Sequence, residues 1–156
     1  MDLFERLYTP GPGGLQEPFI QFWVKVAQRF AGNPFVVGFD PINEPFPSNI
    51  YKDAALIYEP GLFDQTILQP MYKRIFTEAY LPADPTKIMF FEPTQFPDMF
   101  FASGFTEVPG GSNFTSLHVM NDHTYGPCAL GNLNASIYPL CREYHEIKIS
   151  QRDKDA

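Results

Sequence analysis

The chain has no apolar run approaching the roughly 18 residues that a membrane-spanning helix needs, so stable insertion into a bilayer is not expected. Basic charge is also scarce: 11 Lys and Arg stand against 18 Asp and Glu, for a net charge of −7, and no cluster of cations occurs. Nucleic acid and anionic membrane surfaces both reward basic patches, so neither is expected as a partner. The opening residues, MDLFERLYTPGPGG, carry acids where a signal peptide needs a basic and then an apolar region, and no leader is expected within this chain. A Gly-x-Ser-x-Gly elbow and a Gly-rich phosphate loop are missing, and the GPGG near residue 11 follows no strand and is expected to be a flexible turn. Neither His118 nor His123 sits in a His-Glu-x-x-His pattern, so no metal and no cofactor is expected.

Cysteine is limited to Cys128 and Cys141, spaced for the closure of a short loop as a disulfide. Two N-glycosylation sequons, at Asn113 and Asn134, accompany them. Together these point to an oxidising, secretory environment. What is abundant is proline, at 16 residues, and aromatic side chains, at 16% of a chain that is 44% hydrophobic. That mixture describes a packed core threaded by rigid turns rather than a disordered chain, and 156 residues are enough for one domain or part of a larger one.

Along the chain, Phe19, Phe22, Trp23, Val26 and Phe30 recur at helical spacing, and Gly32-Asn33-Pro34 stops that helix. VVGFDPIN, beginning at Val36, follows as a strand apolar on both faces, the pattern of a buried parallel sheet. Leu68, Met71, Tyr72, Ile75 and Phe76 mark a second helix, with a kink or interruption expected at Pro70. KIMFFEP and FTSLHVMNDHTY contain two further strands, and the charged tail from Ser136 onward is expected to enter a helix. Alternation of this kind belongs to α/β architecture with a parallel sheet, in which chemistry gathers at the carboxyl ends of the strands.

Those ends are polar. Asn43-Glu44 follows the first strand, Glu92 and Gln95 the second, and Asn121-Asp122-His123-Thr124-Tyr125 the third. A carboxylate at the open end of a buried strand is held rigidly and partly desolvated, which suits general acid catalysis, and a neighbouring Asn can donate to a substrate hydroxyl. The structural alternative is a solvated loop glutamate beside Pro45, and His118, inside an apolar strand, is expected to be a hydrogen-bonded core histidine.

FDPINEP, residues 39–45, resembles the Asn-Glu-Pro signature of glycoside hydrolase family 5, and IMFFEPTQFPDMF and HVMNDHTYGPC look like the corresponding segments of its endoglycoceramidase branch. The resemblance covers most of residues 15–150. It implies a partial (β/α)8 TIM barrel in a single partial catalytic domain over residues 1–156, running from the helix before strand 4 through the helix after strand 6. It also implies a retaining β-glycosidase acting on the oligosaccharide-ceramide linkage of glycosphingolipids. Glu44 matches the acid/base, Asn43 the residue that bonds the sugar 2-hydroxyl, and His123 and Tyr125 a pair that lines the sugar site and bonds the nucleophile. Glu92 and Gln95 are expected near the substrate.

The family's nucleophilic glutamate stands after strand 7, whereas Glu143 and Glu146 fall in the charged tail, so the nucleophile is expected beyond residue 156 and this chain is expected to be an inactive fragment. Cut from a closed barrel, it is expected to self-associate through exposed strand edges. The full-length parent is expected to be secreted or lysosomal. The competing expectations are another family 5 β-glycosidase, such as a cellulase-like or glucosylceramide hydrolase, and a non-catalytic glycan- or lipid-binding remnant.

Overall fold

The computed structural model describes residues 2–94, 102–125 and 135–155. Helices α1 (Asp2–Tyr8) and α2 (Gln16–Phe30) precede strand β1 (Gly38–Phe39). After α3 (Ala55–Tyr58), a long helical run over residues 62–83 contains α4 (Gln69–Ile75) and α5 (Leu81–Ala83) and leads to β2 (Ile88–Phe91). A 3-10 helix, Ser112–Leu117, runs directly into β3 (His118–Met120), and α6 (Tyr138–Asp155) closes the chain. The strands form one parallel sheet in the order β1-β2-β3, with Phe39 opposite Met89 and Met89 opposite His118. The expected α/β class with parallel strands is what forms.

β2 lies in the middle and sets the core. Its side chains alternate, so Met89 and Phe91 turn to the buried side while Ile88 and Phe90 remain half-buried. Against Met89 and Phe91 pack Leu68, Met71, Tyr72, Ile75, Phe76 and Tyr80 from the long helical run, with Ile20 and Ala27 of α2 behind them. Burial of each large apolar side chain is worth about 1.5–3 kcal/mol, so this cluster supplies most of the force that docks helix on sheet.

Several expectations need correction. β1 spans two residues rather than all of VVGFDPIN, and it is not buried on both faces: Phe35 and Val37 are exposed, because β1 is an edge strand whose outer side has no neighbour among the described residues. On α2 the buried apolar positions are Ile20 and Ala27, while Phe22 and Phe30 of the aromatic stripe face outward. α1, which the sequence reading did not anticipate, buries Tyr8 against Phe63 with ring centroids 5.1 Å apart.

The interruption expected at Pro70 takes the form of a widened turn within a continuing helical run. π-helical turns at Asp64–Leu68 and Phe76–Tyr80 stand just ahead of Pro70 and Pro82, which occupy the first turns of α4 and α5. A proline has no N–H to donate and its ring crowds the carbonyl four residues back. Widening the preceding turn accommodates both, so the run continues where a regular α-helix would kink.

Two polar anchors and one close backbone contact then fix where the strands end. Lys87, buried at the start of β2, donates from Nζ to the carbonyls of Asn33 and Val36 at 2.7 and 2.8 Å, which aligns the chain leaving α2 with β2. Gly38 meets β2 so closely that a Cβ there would lie 2.0 Å from the Ile88 carbonyl oxygen. Asp64, also buried, accepts the N–H groups of Thr94 and Gly104 and so holds both described ends of the loop that follows β2.

Candidate active site

The polar residues expected at the strand ends converge. Glu44 lies in the loop after β1 with φ of +50°, a left-handed backbone conformation that non-glycine residues seldom adopt and that costs on the order of 1 kcal/mol or more. It is held there from β2: the Glu44 N–H donates to Glu92 Oε2 at 2.7 Å, and Thr94 Oγ1 donates to the carbonyl of the next residue, Pro45, at 3.1 Å. The strain is thus imposed by two tertiary hydrogen bonds rather than by local sequence. Asn43 is exposed beside Glu44.

Glu92 leaves β2 directly into the interior and has no solvent exposure, whereas the Glu44 side chain is 32% exposed. Tyr72 of α4 donates its hydroxyl to the Glu92 carbonyl at 3.1 Å. Asn121, bound to β2 through its backbone N–H and the Phe91 carbonyl, uses its amide nitrogen for two acceptors at 3.0 Å each, Asp40 Oδ2 and Glu92 Oε1. Burial chiefly pushes the Glu92 carboxyl up to about 7; the charge of Asp40 and a hydrogen bond with it add to the rise, while the Glu44 N–H and His123 oppose it.

His123 stands between the two glutamates. Its Nδ1 is 2.7 Å from Glu44 Oε1 and its Nε2 is 3.5 Å from Glu92 Oε1. The hydrogen bond to Glu44 is the largest cause of a raised His123 pKa, opposed by desolvation and supported by the charges of Glu92, Glu44 and Asp122. The imidazole is therefore biased toward its cation, which donates to Glu44 and faces Glu92 only as a nearby charge. The Tyr125 hydroxyl lies 3.4 Å from His123 Nδ1.

The loop carrying His123 is fixed from α6. Lys148 Nζ donates to the His123 carbonyl at 2.6 Å, Arg152 Nε donates to Asp122 Oδ2 at 2.8 Å, and Thr124 Oγ1 meets His145 Nδ1 at 2.9 Å. A tail that the sequence presents as solvated charge thus turns a polar face inward. Cys141, His145, Lys148 and Arg152 recur at helical spacing, and that stripe was the available signal, masked because two of its four residues are cations. Asn121 belongs to the polar strand end marked in the sequence and Asp40 to the run expected as strand, but nothing local sets either apart as a partner of Glu92.

His118 is a hydrogen-bonded histidine at the start of β3, with Nδ1 2.8 Å from the Phe114 carbonyl and its ring centroid 4.5 Å from that of Phe76. Asn113 is exposed in the 3-10 turn. Cys141 is buried and disulfide-bonded, and Gln95, Cys128 and Asn134 lie outside the described residues. Among the described residues no group of three His, Cys, Asp or Glu is disposed to hold a metal ion, and no helix is long and apolar enough to cross a membrane.

The arrangement offers one solvent-accessible carboxylate, Glu44, oriented by an imidazole, above a buried polar network. That is a proton donor and acceptor presented on a rigid mount.

No family model matches the chain. Over 124 residues, 80% of its length, it is 39% identical to an endoglycoceramidase of Hydra vulgaris and 36% identical to an endoglycoceramidase of Cyanea nozakii. The matched region is 23% and 24% of those two proteins, so the chain spans about a quarter of the length of the curated relatives it matches. Its fold is similar to that of endo-glycoceramidase II from Rhodococcus sp., with TM-scores of 0.72 to the complex with a cellobiose-like isofagomine and 0.67 to the complex with ganglioside GM3. Each is 24% identical and covers 96% of this chain, which corresponds to 32% and 31% of those chains. At that identity the likeness is one of fold.

Proposed function

With an endoglycoceramidase-like chain as the premise, we propose that it forms about strands 4 to 6 of a (β/α)8 glycoside hydrolase barrel of family 5, with Glu44 as the acid/base of a retaining β-glycosidase acting on glycosphingolipids. The observation that carries this reading is Glu44 itself. It is the accessible carboxylate at the strand ends, with its backbone pinned by Glu92 and its Oε1 in contact with His123.

In the reaction Glu44, as the acid, gives its proton to the glycosidic oxygen as the bond to the aglycone breaks, and afterwards takes a proton from the water that releases the sugar. Exposed Asn43 is placed to donate to the sugar 2-hydroxyl, a contact that strengthens as charge develops at the anomeric carbon. His123 orients the Glu44 carboxylate, and Tyr125 borders the same opening.

A retaining mechanism needs a second carboxylate about 5–5.5 Å away that reaches the anomeric carbon. Glu92 is unsuited to that role: it has no solvent exposure, and its oxygens are committed to the Glu44 N–H and to Asn121. The nucleophile in this reading comes from outside the described residues. The disulfide at Cys141 supports an oxidising compartment, secreted or lysosomal, for the protein.

The test is hydrolysis of a fluorescent ganglioside by the longest natural chain that carries these residues. Glu44→Gln should lower kcat by about 10²–10⁴-fold, the usual contribution of general acid-base catalysis. The released product should be the intact oligosaccharide; a single glucose would favour a glucosylceramide hydrolase. Turnover that survives the substitution unchanged would refute the assignment of Glu44.

A further inference from the structure

Glu92 is the least exposed carboxyl of the site, and its surroundings do not suit two adjacent negative charges. Asp40 and Glu92 both accept from the single amide nitrogen of Asn121, at 3.0 Å each, so their oxygens are held close together from the ends of β1 and β2. Two carboxylates accepting from one amide nitrogen repel each other, and a hydrogen on either of them turns that repulsion into a hydrogen bond between the two. Asp40 Oδ1 is buried and finds no donor among the described residues unless that hydrogen is present. Of the other groups facing the pair, the Tyr72 hydroxyl from α4 serves the Glu92 carbonyl and the Glu44 N–H serves Oε2, while the buried Tyr80 hydroxyl feels the charge of Asp40 without a hydrogen bond to it. His123 Nε2 stands off at 3.5 Å, and the Glu44 carboxylate is turned to the opposite ring nitrogen.

We propose that Asp40 and Glu92 share one proton, and that the neutral Glu92 carboxyl so formed is a positioning residue that holds Glu44 in its left-handed conformation. The proposal rests on the reading of Glu44 as acid/base and deepens it. With one proton between them, the pair carries a single negative charge that Asn121 and His123 can balance. Loss of that proton leaves two carboxylates with one shared amide donor, and repulsion draws Glu92 away from the Glu44 N–H. The raised Glu92 pKa, caused first by burial, agrees with this arrangement and places the loss near neutrality.

A glutamine at position 92 is neutral and keeps the oxygen that accepts from Glu44, while its amide nitrogen can donate to Asp40 at the loss of the acceptor for Asn121. The experiment compares Glu92→Gln, Glu92→Ala and Asp40→Asn in the longest natural chain, by pH-dependent kinetics on a fluorescent ganglioside and by ¹³C NMR titration of the glutamate carboxyl carbons. Glu92→Ala should lower kcat about 100-fold with KM within about 3-fold, the scale of a mispositioned catalytic group. Glu92→Gln should recover about 10-fold or more of that loss and remove the ionisation near neutrality from the pH profile. In the wild-type protein the Glu92 carbon should titrate above the ordinary glutamate range, and Asp40→Asn should bring it down.

A Glu92 that titrates as an ordinary glutamate with Asp40 intact overturns the proposal, and that reading needs no variant to fold. So does a Glu92→Gln protein as impaired as Glu92→Ala. If Glu44→Gln retains full turnover while the Glu92 titration still depends on Asp40, the acid/base assignment falls and the shared proton stands.

Discussion

Asp64 is 2% exposed and accepts two backbone N–H groups, at 2.8 Å from Thr94 and 3.1 Å from Gly104. Burial nonetheless dominates, raising its carboxyl from an ordinary 3.8 to about 6. The folded protein therefore retains a proton at pH values where the unfolded chain has released it, and stability must fall as pH rises through this window. The contribution is fully present below pH 3.8 and is lost as pH passes about 6. The gap between 3.8 and about 6, at about 1.4 kcal/mol per pH unit, amounts to about 3 kcal/mol. Asp64→Asn removes the ionisation and keeps one acceptor, so it should cost about 1 kcal/mol at acidic pH for the hydrogen bond that is lost. Urea unfolding of both proteins from pH 3.5 to 7.5, followed by the fluorescence of Trp23, reads the difference. The wild-type advantage should shrink and then reverse, moving by about 3 kcal/mol across the series. A difference constant within about 0.5 kcal/mol at every pH would show that the two N–H donors cancel the effect of burial, and the reasoning would fail.

Gly38→Ala should destabilise the protein by about 3 kcal/mol, because the new methyl would meet the Ile88 backbone and push β1 off the sheet; a wild-type midpoint in urea would contradict the close strand contact. Arg74 forks to Glu17 of α2 at 2.6 and 2.8 Å and reaches Glu78 at 2.7 Å, but its side chain is 29% exposed, so Arg74→Lys should cost only about 0.5–1 kcal/mol, measured by thermal unfolding. Lys87→Met should cost about 2 kcal/mol in urea, since it strands the half-buried carbonyls of Asn33 and Val36, and unchanged stability would mean that water replaces the ammonium.

The alternation of helix and strand was legible because it rests on periodicity: the apolar run of IMFF, the spacing of Met71, Tyr72 and Ile75, and the stop at Gly32-Asn33-Pro34. The extent of β1 was not. Val36 and Val37 have the composition of a buried strand, yet how many residues pair depends on whether a neighbour lies alongside, which is a property of the assembled sheet. The form of the interruption at Pro70 was hidden for a related reason. A proline forbids a regular turn but not a wider one, and packing of Leu68, Met71 and Tyr72 against β2 outweighs the cost of the π turn.

By itself the sequence determined which residues occupy the strand ends, since Glu44, Glu92 and His123 each follow an apolar run within a few positions, and a parallel sheet puts such ends on one side. Tertiary structure alone decided their division of labour. Glu44 and Glu92 are the same residue type, each followed by proline, but one is held open to solvent and the other is enclosed by Asp40, Asn121 and Tyr72. Burial and hydrogen-bond partners, which come from segments up to 81 residues apart, set the proton affinity of a carboxyl group, and no local pattern of residues carries that information.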